Sequence, residues 1–554
     1  MLFDGITTEE KLEKLKCLIM SDKKHREMFL VIRKQCSKEY GPDLGHVGEA
    51  IDEKRMPSNT EILAFYKDLV KKGEQKPSKE VEKILRKMKV RSNSGVAVIS
   101  LLTKPYDCPG ECIYCPNEKE MPKSYLSKEP AAARALANDF NPYTQVKNRM
   151  RALVANGHSI DKLEVIVIGG TWSSYDKDYQ EGFISEIFRA ANDFGKERGI
   201  KEGKKKKTLE ELHKENETAV HRIIGLSVET RPDHIDEKEI EYLRYLGVTK
   251  IEIGVQHLDD GVLAYNKRGI SLKRVSEATE LMRNAGFKVV YHMMPNLPGS
   301  TKEMDVKMFG DLFKGKEYQP DMLKIYPCVV LKNSELYNIW EKGEFTPYTD
   351  PELVHVLREA KKKVPKYVRI LRVIRDIPAE YIVAGSKISN LRQFIQEDQK
   401  KNDWCCECIR CRQIRNEKVF LDDYVLERID YETLTGKEVF LSFEHKTENK
   451  CAAFCRLRLP NRDESFLFFG DLKTLKGASI IRELHTYGQL IGIKKKGEQS
   501  QHRGFGVRLM NESERIAKEA GYEKMAVISG VGVREYYKNK LGYSLEGTYM
   551  VKKL

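Results

Sequence analysis

No stretch of the 554-residue sequence approaches the ~18 apolar residues of a membrane span, which excludes a helical integral membrane protein. The opening residues, MLFDGITTEEKLEK, are too acidic for a secretory signal and lack its apolar core, so a cytoplasmic protein is expected. There is no internal repeat and no long low-complexity tract, which excludes a repeat architecture. Nor are the twelve cysteines spread like a disulfide framework. A chain of this length can bury full cores without such staples, at roughly 100–200 residues per domain.

What is present is a basic balance and two cysteine groups. Lys and Arg number 97 against 83 Asp and Glu, a net charge of +14, which points weakly to a polyanionic partner. Residues 1–90 read as a polar helical segment, with a helix start at Pro57-Ser58-Asn59-Thr60-Glu61. Within it, Lys71 to Arg91 carries nine Lys or Arg against three Glu. Residues 91–375 alternate short apolar runs (GVAVISLLT, LEVIVIGG, IIGLSVET, KIEIGVQ, KVVYHMM, MLKIYPC) with helical stretches such as LKRVSEATELMRNAG. That alternation predicts an α/β fold with parallel strands, as a barrel or an open sheet. A cysteine-bearing linker follows at 376–415. In residues 416–554, FLSFE, KCAAFCRLRL and SFLFFGDL predict antiparallel strands, and a helix is expected from Gly504 to Gly521.

Seven cysteines fall in the two groups. Cys108, Cys112 and Cys115, in TKPYDCPGECIYCPNE, have C-x3-C-x2-C spacing with Tyr114 before the last. Three thiolates on one loop can ligate three corners of an iron–sulfur cluster and leave one iron open. A zinc loop short of one ligand, or a redox pair, is the alternative. Cys406, Cys408 and Cys411 give C-x-C-x2-C, with Cys405 directly before them. Thiolates this close suit a tetrahedral zinc. Cys328 is the preferred fourth ligand and Cys405 the other candidate; a second iron–sulfur cluster is the rival occupant.

Near the C-terminus, Gln501-His502-Arg503-Gly504-Phe505-Gly506 fits Q/R-x-x-G-x-G/A at the start of a helix. Glycines there let the backbone and the helix N-terminus approach a diphosphate. Tyr536 and Tyr537 follow the next strand and are candidate catalytic hydroxyls beside a thioester. The bland reading of both tyrosines is core packing.

The first cysteine spacing resembles the signature of the radical S-adenosylmethionine superfamily. That resemblance implies a partial (β/α) barrel, a 4Fe-4S cluster and S-adenosylmethionine. It also implies S-adenosylmethionine contacts at Gly169, Gly170, Thr171, Glu229, Arg231, Gln256 and His292, all at strand ends. The C-terminal portion resembles the GCN5-related N-acetyltransferase fold. The pairing of the two, with ETRPD, EIGVQ, HMMPNLPG, RELHTYG, QHRGFG and ISGVGVREYY, resembles the catalytic subunit of the Elongator complex across nearly the whole chain. The archaeal and bacterial stand-alone members fit best. In eukaryotic members the first cysteine lies further from the second, the CxCxxC linker is eroded, and Thr stands at the place of Cys328.

The resemblance implies modification of the wobble uridine of tRNA, bound through its anticodon stem-loop. An adenosyl radical takes hydrogen from the methyl group of acetyl-CoA, the carbon radical adds to ring carbon 5, loss of an electron and a proton restores the ring, and thioester hydrolysis leaves 5-carboxymethyluridine. Acetyl-CoA contacts are then expected at Lys162, Glu483, Leu484, His485, Thr486, Phe505, Gly506, Val507 and Tyr537. An external electron donor is required, and a monomer or homodimer is expected. Lys71–Arg91, KEGKKKK and Lys361–Arg375 become candidate tRNA contacts through phosphate. The competing function is protein lysine acetylation by the C-terminal module alone.

Overall fold

The structure is a computed structural model that describes residues 27–32, 58–74, 76–78, 81–82, 85, 95–196, 207–415, 419–461, 470–487 and 504–554. Gln501, His502, Arg503, Cys17, Cys36, most of Lys71–Arg91 and all of KEGKKKK except Lys207 lie outside the described residues.

The expected helix start at Ser58 is present. The helix Asn59–Lys71 opens with a capping box in which Ser58 and Glu61 satisfy each other's backbone N–H groups. The strands that follow are β1 (Ala97–Leu102), β2 (Lys162–Ile168), β3 (Arg222–Thr230), β4 (Lys250–Gln256), β5 (Lys288–Met293), β6 (Met322–Ile325), β7 (Val330–Leu331), β8 (Arg369–Arg372) and β9 (Ile382–Ala384). Seven of them form one parallel sheet in the order β1-β2-β3-β4-β5-β6-β8, curled into a half-barrel that is open between β1 and β8. Helices such as Lys177–Asp193 and Leu272–Asn284 supply the crossovers. β7 and β9 pair separately as a two-stranded ribbon.

The C-terminal sheet is mixed and has the order β10-β11-β12-β13-β14-β16-β15. Its strands are β10 (Tyr424–Thr433), β11 (Gly436–His445), β12 (Cys451–Pro460), β13 (Ala478–Thr486), β14 (Lys524–Val527), β15 (Ser544–Glu546) and β16 (Tyr549–Lys553). Antiparallel strands are found at FLSFE and KCAAFCRLRL. SFLFFGDL is a correction: its first residues lie outside the described set, and Gly470–Leu475 is a 3-10 helix. The expected helix spans Phe505–Glu519, entered from Gly504 at φ 91° and left through Gly521 at φ 83°.

The barrel and the C-terminal sheet share one contiguous apolar core, from Ala97 to Val551. A buried ionic seam joins them. Arg482 on β13 donates to Phe287 O at 2.6 Å and to both carboxylate oxygens of Asp321, at 2.8 and 2.5 Å. Arg456 on β12 donates to Tyr367 O at 2.7 Å, and Arg458 donates to Asn284 Oδ1 at 2.7 Å. Phe287, Asp321 and Tyr367 precede β5, β6 and β8, so the C-terminal sheet caps the N-terminal ends of the barrel strands.

Candidate functional site

The loop after β1 carries Cys108, Cys112 and Cys115 across the C-terminal mouth of the barrel. Cys115 N–H donates to Cys112 O at 3.1 Å, and Ile113 N–H donates to Asn266 O at 3.3 Å, which pins the turn. The Cys112 thiol is pulled down, first by its hydrogen bond with Cys115 and then by the guanidinium groups of Arg268 and Arg231, against the opposing effect of burial. Arg268 Nη1 lies 3.9 Å from Cys112 Sγ. Three sulfurs on one short turn, one of them lowered beside a fixed guanidinium, are the donor set that an iron–sulfur cluster requires, so this loop fits one.

The strand-end residues surround that loop. A Cβ at Gly169 would sit 1.8 Å from Thr103 Oγ1, so only glycine fits the turn after β2. Thr171 Oγ1 lies 3.5 Å from Cys108 Sγ. Arg231 holds Asp233 with Nε and Nη2, while its Nη1 is buried with no partner. Gln256 adopts φ 73° at the end of β4, and its Oε1 is also buried and unpartnered. Strain and orphaned polar atoms at one mouth fit a missing polar ligand such as S-adenosylmethionine. His292 Nε2 is 2.9 Å from Glu252 Oε2. Glu229 accepts from Tyr125 OH at 2.7 Å and from Lys324 Nζ at 3.1 Å, and Lys324 also pairs with Glu252.

At the other end of the barrel, β13 pairs with β14 only over Ala478–Ile481, so Glu483–Thr486 continue along an open slot. Glu483 accepts from Arg456 Nε at 3.0 Å. His485 stacks between Phe454 and Tyr487, with centroids at 5.6 and 4.4 Å. Burial pulls the His485 imidazole down to about 4. Its proton is therefore bound by the unfolded chain first, and this part of the stability is full above about pH 6.5 and lost as pH falls towards 4. In His485→Asn the loss of stability over that range should be shallower, as read by chemical denaturation at stepped pH. Burial also lowers Lys162, at the start of β2. Gly506 lies against Tyr536, whose hydroxyl would be 3.1 Å from an added Cβ. Burial raises both Tyr536 and Tyr537. Phe505 faces the core instead, against Phe443 at 4.6 Å, so its side chain is not a ligand contact.

One continuous cavity of about 1870 Å³ touches both groups: Cys108, Cys112 and Cys115 at one end, and Glu483, Gly506 and Tyr537 at the other.

The radical SAM superfamily profile matches residues 102–312, and the Radical SAM C-terminal domain profile matches 320–401. A tRNA uridine(34) acetyltransferase of Methanocaldococcus infernus is 42% identical over 548 residues, covering 96% of each chain. The chain belongs to the Elp3-type tRNA uridine(34) acetyltransferases, the archaeal and bacterial branch of a radical SAM family. Human Elongator complex protein 3 is 35% identical over 85% of this chain and 86% of its own. The solved structure of Methanocaldococcus infernus Elp3 with its N-terminus deleted superposes with a TM-score of 0.70 at 39% identity, covering 83% of this chain and 100% of that one. Among the described residues no helix is long and apolar enough to cross a membrane.

Within this Elp3-type architecture, the second cysteine group is a cluster of three. The Sγ atoms of Cys406, Cys408 and Cys411 lie within 4.8 Å of one another. Cys328 is a correction, because it does not join them. It packs with Cys112, Leu297, Val330 and Leu336 under the first cysteine loop. The reason is strand direction. β6 leads to Cys328 at the C-terminal mouth, whereas Ile409 N–H donates to Val368 O at 2.9 Å, beside the start of β8. Cys405 is exposed and donates to Glu407 at 3.3 Å. No fourth Cys, His, Asp or Glu completes the group among the described residues.

In Lys361–Arg375, three cations are held within the fold, while Lys362, Lys363 and Arg372 are exposed. Lys361 is buried 3.9 Å from Cys411 Sγ, Arg369 donates to Tyr487 OH at 2.5 Å, and Arg375 donates to Glu129 at 2.7 Å. Sequence reasoning missed Glu252, Lys324, Tyr125 and Arg268. The visible signal for the first two is a charge in the middle of an apolar strand, in KIEIGVQ and MLKIYPC.

Proposed function

We propose that this protein replaces the C5–H of wobble uridine in tRNA by a carboxymethyl group drawn from acetyl-CoA, yielding 5-carboxymethyluridine and free CoA. The observation that carries this reading is the single cavity with the Cys108–Cys115 loop and the Gly506–Tyr537 slot both in its wall. Protein lysine acetylation by the C-terminal slot alone leaves the cysteine loop without a role.

Cys108, Cys112 and Cys115 would hold the 4Fe-4S cluster. Gly169, Gly170, Thr171, Glu229, Arg231, Gln256 and His292 would hold S-adenosylmethionine. Bound there, the pair would supply a one-electron cleavage that generates an adenosyl radical. The chain's own residues do the rest. The unpartnered Nη1 of Arg231 is placed for a carboxylate, and the Gly169 turn brings backbone to the ligand. Lys162, Glu483–Thr486, the backbone of Phe505–Val507 and Tyr537 would hold acetyl-CoA. Tyr536 and Tyr537, kept protonated by burial, can donate to the thioester carbonyl or the leaving sulfur. The domain division we propose is 1–90 for tRNA binding, 91–375 for radical chemistry, 376–415 for metal, and 416–554 for acyl-CoA in the GCN5-related manner.

Nucleoside mass spectrometry of tRNA treated with the reconstituted protein tests the activity. For the CxCxxC group we propose zinc on Cys406, Cys408 and Cys411. Protein purified without cluster reconstitution should carry about one zinc per chain, and Cys408→Ser should lose it and melt at a lower temperature. Iron and sulfide in that site would favour a second cluster.

A further inference from the structure

We propose that the acetyl-bearing arm of acetyl-CoA runs through the inside of the half-barrel. It would enter at the N-terminal ends of the strands, where the C-terminal sheet sits, and deliver the acetyl methyl to the cysteine loop at the C-terminal ends. This inference rests on the function proposed above and adds the route that function requires.

The two chemistries stand at opposite ends of one set of strands. Gly530, just before the tyrosine helix, abuts the start of β3, since a Cβ on it would lie 2.1 Å from Ile224 O. Arg482 and Arg456 fix β13 and β12 to the residues that precede β5 and β8. The cysteine loop instead follows the end of β1, and Gly169 follows the end of β2. From Lys162 to Gly169 the chain rises by seven residues of extended strand, about 23 Å. An acetyl group beside Glu483–Thr486 is therefore most of a barrel length from the cysteines. Hydrogen transfer needs the reacting atoms at roughly 3–3.5 Å.

The interior between the two ends is built unlike a core. Closed eight-stranded barrels fill their centre with layers of bulky apolar side chains, which this open half-barrel does not do. Here Glu164 and Gly225 line the cavity at one height, and Lys250, Glu252 and Lys324 follow at successive heights above them. The acids and bases alternate: Lys250 pairs with Glu164, and Lys324 with both Glu252 and Glu229. Buried ion pairs seldom stabilise more than apolar packing would, so the ladder is not explained by stability. A wall of alternating donors and acceptors suits a slender, uncharged arm that carries amides and a hydroxyl. Between the two ends, Gly225 leaves room in the wall. A Cβ there would meet only Glu164 Cγ at 3.7 Å and Thr249 Oγ1 at 3.8 Å, which is ordinary contact.

That glycine gives a test. Gly225→Phe plugs the passage near its N-terminal entrance, level with Glu164, and Gly225→Ala leaves it open. With acetyl-CoA deuterated on its methyl group, a C–D bond breaks on the acetyl carbon and a C–D bond forms on 5′-deoxyadenosine. The wild type and Gly225→Ala should both incorporate deuterium. Gly225→Phe should lose more than nine-tenths of it while still cleaving S-adenosylmethionine to unlabelled 5′-deoxyadenosine. Deuterium transfer at the wild-type level in Gly225→Phe overturns the route and leaves the function standing. No deuterium from the wild type overturns the function, and the route with it.

A second readout needs no cluster. In the Gly225→Cys variant, a CoA pyridyl disulfide should exchange with the introduced thiol: the old S–S bond breaks, a CoA–protein S–S bond forms, and pyridinethione leaves. Peptide mapping should place CoA on residue 225, with protection by excess acetyl-CoA. Absence of that adduct overturns the route.

Discussion

Cys112→Ala is expected to abolish 5-carboxymethyluridine formation, with a loss of at least a thousandfold measured by nucleoside mass spectrometry. The ligand loop has no spare donor. Cys328 lies in the same apolar group, but burial pushes its thiol up, so it is a poor substitute for a thiolate. Fold should survive, because Cys112 is small and the turn is pinned by backbone bonds from Ile113 and Cys115. The variant should still bind acetyl-CoA, since the slot along β13 lies at the other end of the barrel. Iron content and the visible absorption of the cluster should fall together with activity. A variant that kept full activity while lacking iron would point to the C-terminal module acting alone.

The second large effect concerns stability. Arg482→Met is expected to destabilise the folded chain by ~3–5 kcal/mol, the usual cost of removing one partner from a buried ionic network. Arg482 is fully buried, and its loss takes the nearest cation from Asp321 and from Glu438, both carboxylates inside the seam. The Arg482 and Arg456 guanidinium groups hold the Asp321 carboxyl well below the usual carboxylate range. That contribution is present above the unfolded carboxylate value near pH 4 and fades as pH falls further. The gap between wild type and Arg482→Met in urea denaturation should therefore be widest near neutrality and shrink in acid. A seam that only decorated the interface would show a difference under 1 kcal/mol at any pH.

Much of the fold was legible because the parallel strands carry near-continuous β-branched runs, as in LEVIVIGG and KVVYHMM, even where alternate residues of β2 face the cavity. The cysteine loop was legible from spacing alone, and Gly504 from the glycine that opens a helix. What was not legible depends on direction in space. Cys328 follows a strand whose parallel orientation carries it to the mouth, away from the CxCxxC turn near the start of β8. Lys361–Arg375 reads as a uniform basic run, yet Lys361, Arg369 and Arg375 turn to Cys411, Tyr487 and Glu129 within the fold. SFLFFGDL has strand composition, but Gly470 at φ 49° opens a 3-10 turn. The ladder from Glu164 to Lys324 appears only when the strands close on one another, since single charges in apolar strands do not show which side they face.

The most direct test is an anaerobic incubation of the reconstituted protein with S-adenosylmethionine, a reductant, tRNA and acetyl-CoA labelled with carbon-13 in both acetyl positions, followed by mass spectrometry of the nucleosides. The account predicts 5-carboxymethyluridine carrying both labelled carbons, formed only when cluster, S-adenosylmethionine and acetyl-CoA are all present. Unmodified wobble uridine, with the cluster intact and 5′-deoxyadenosine still produced, would contradict it.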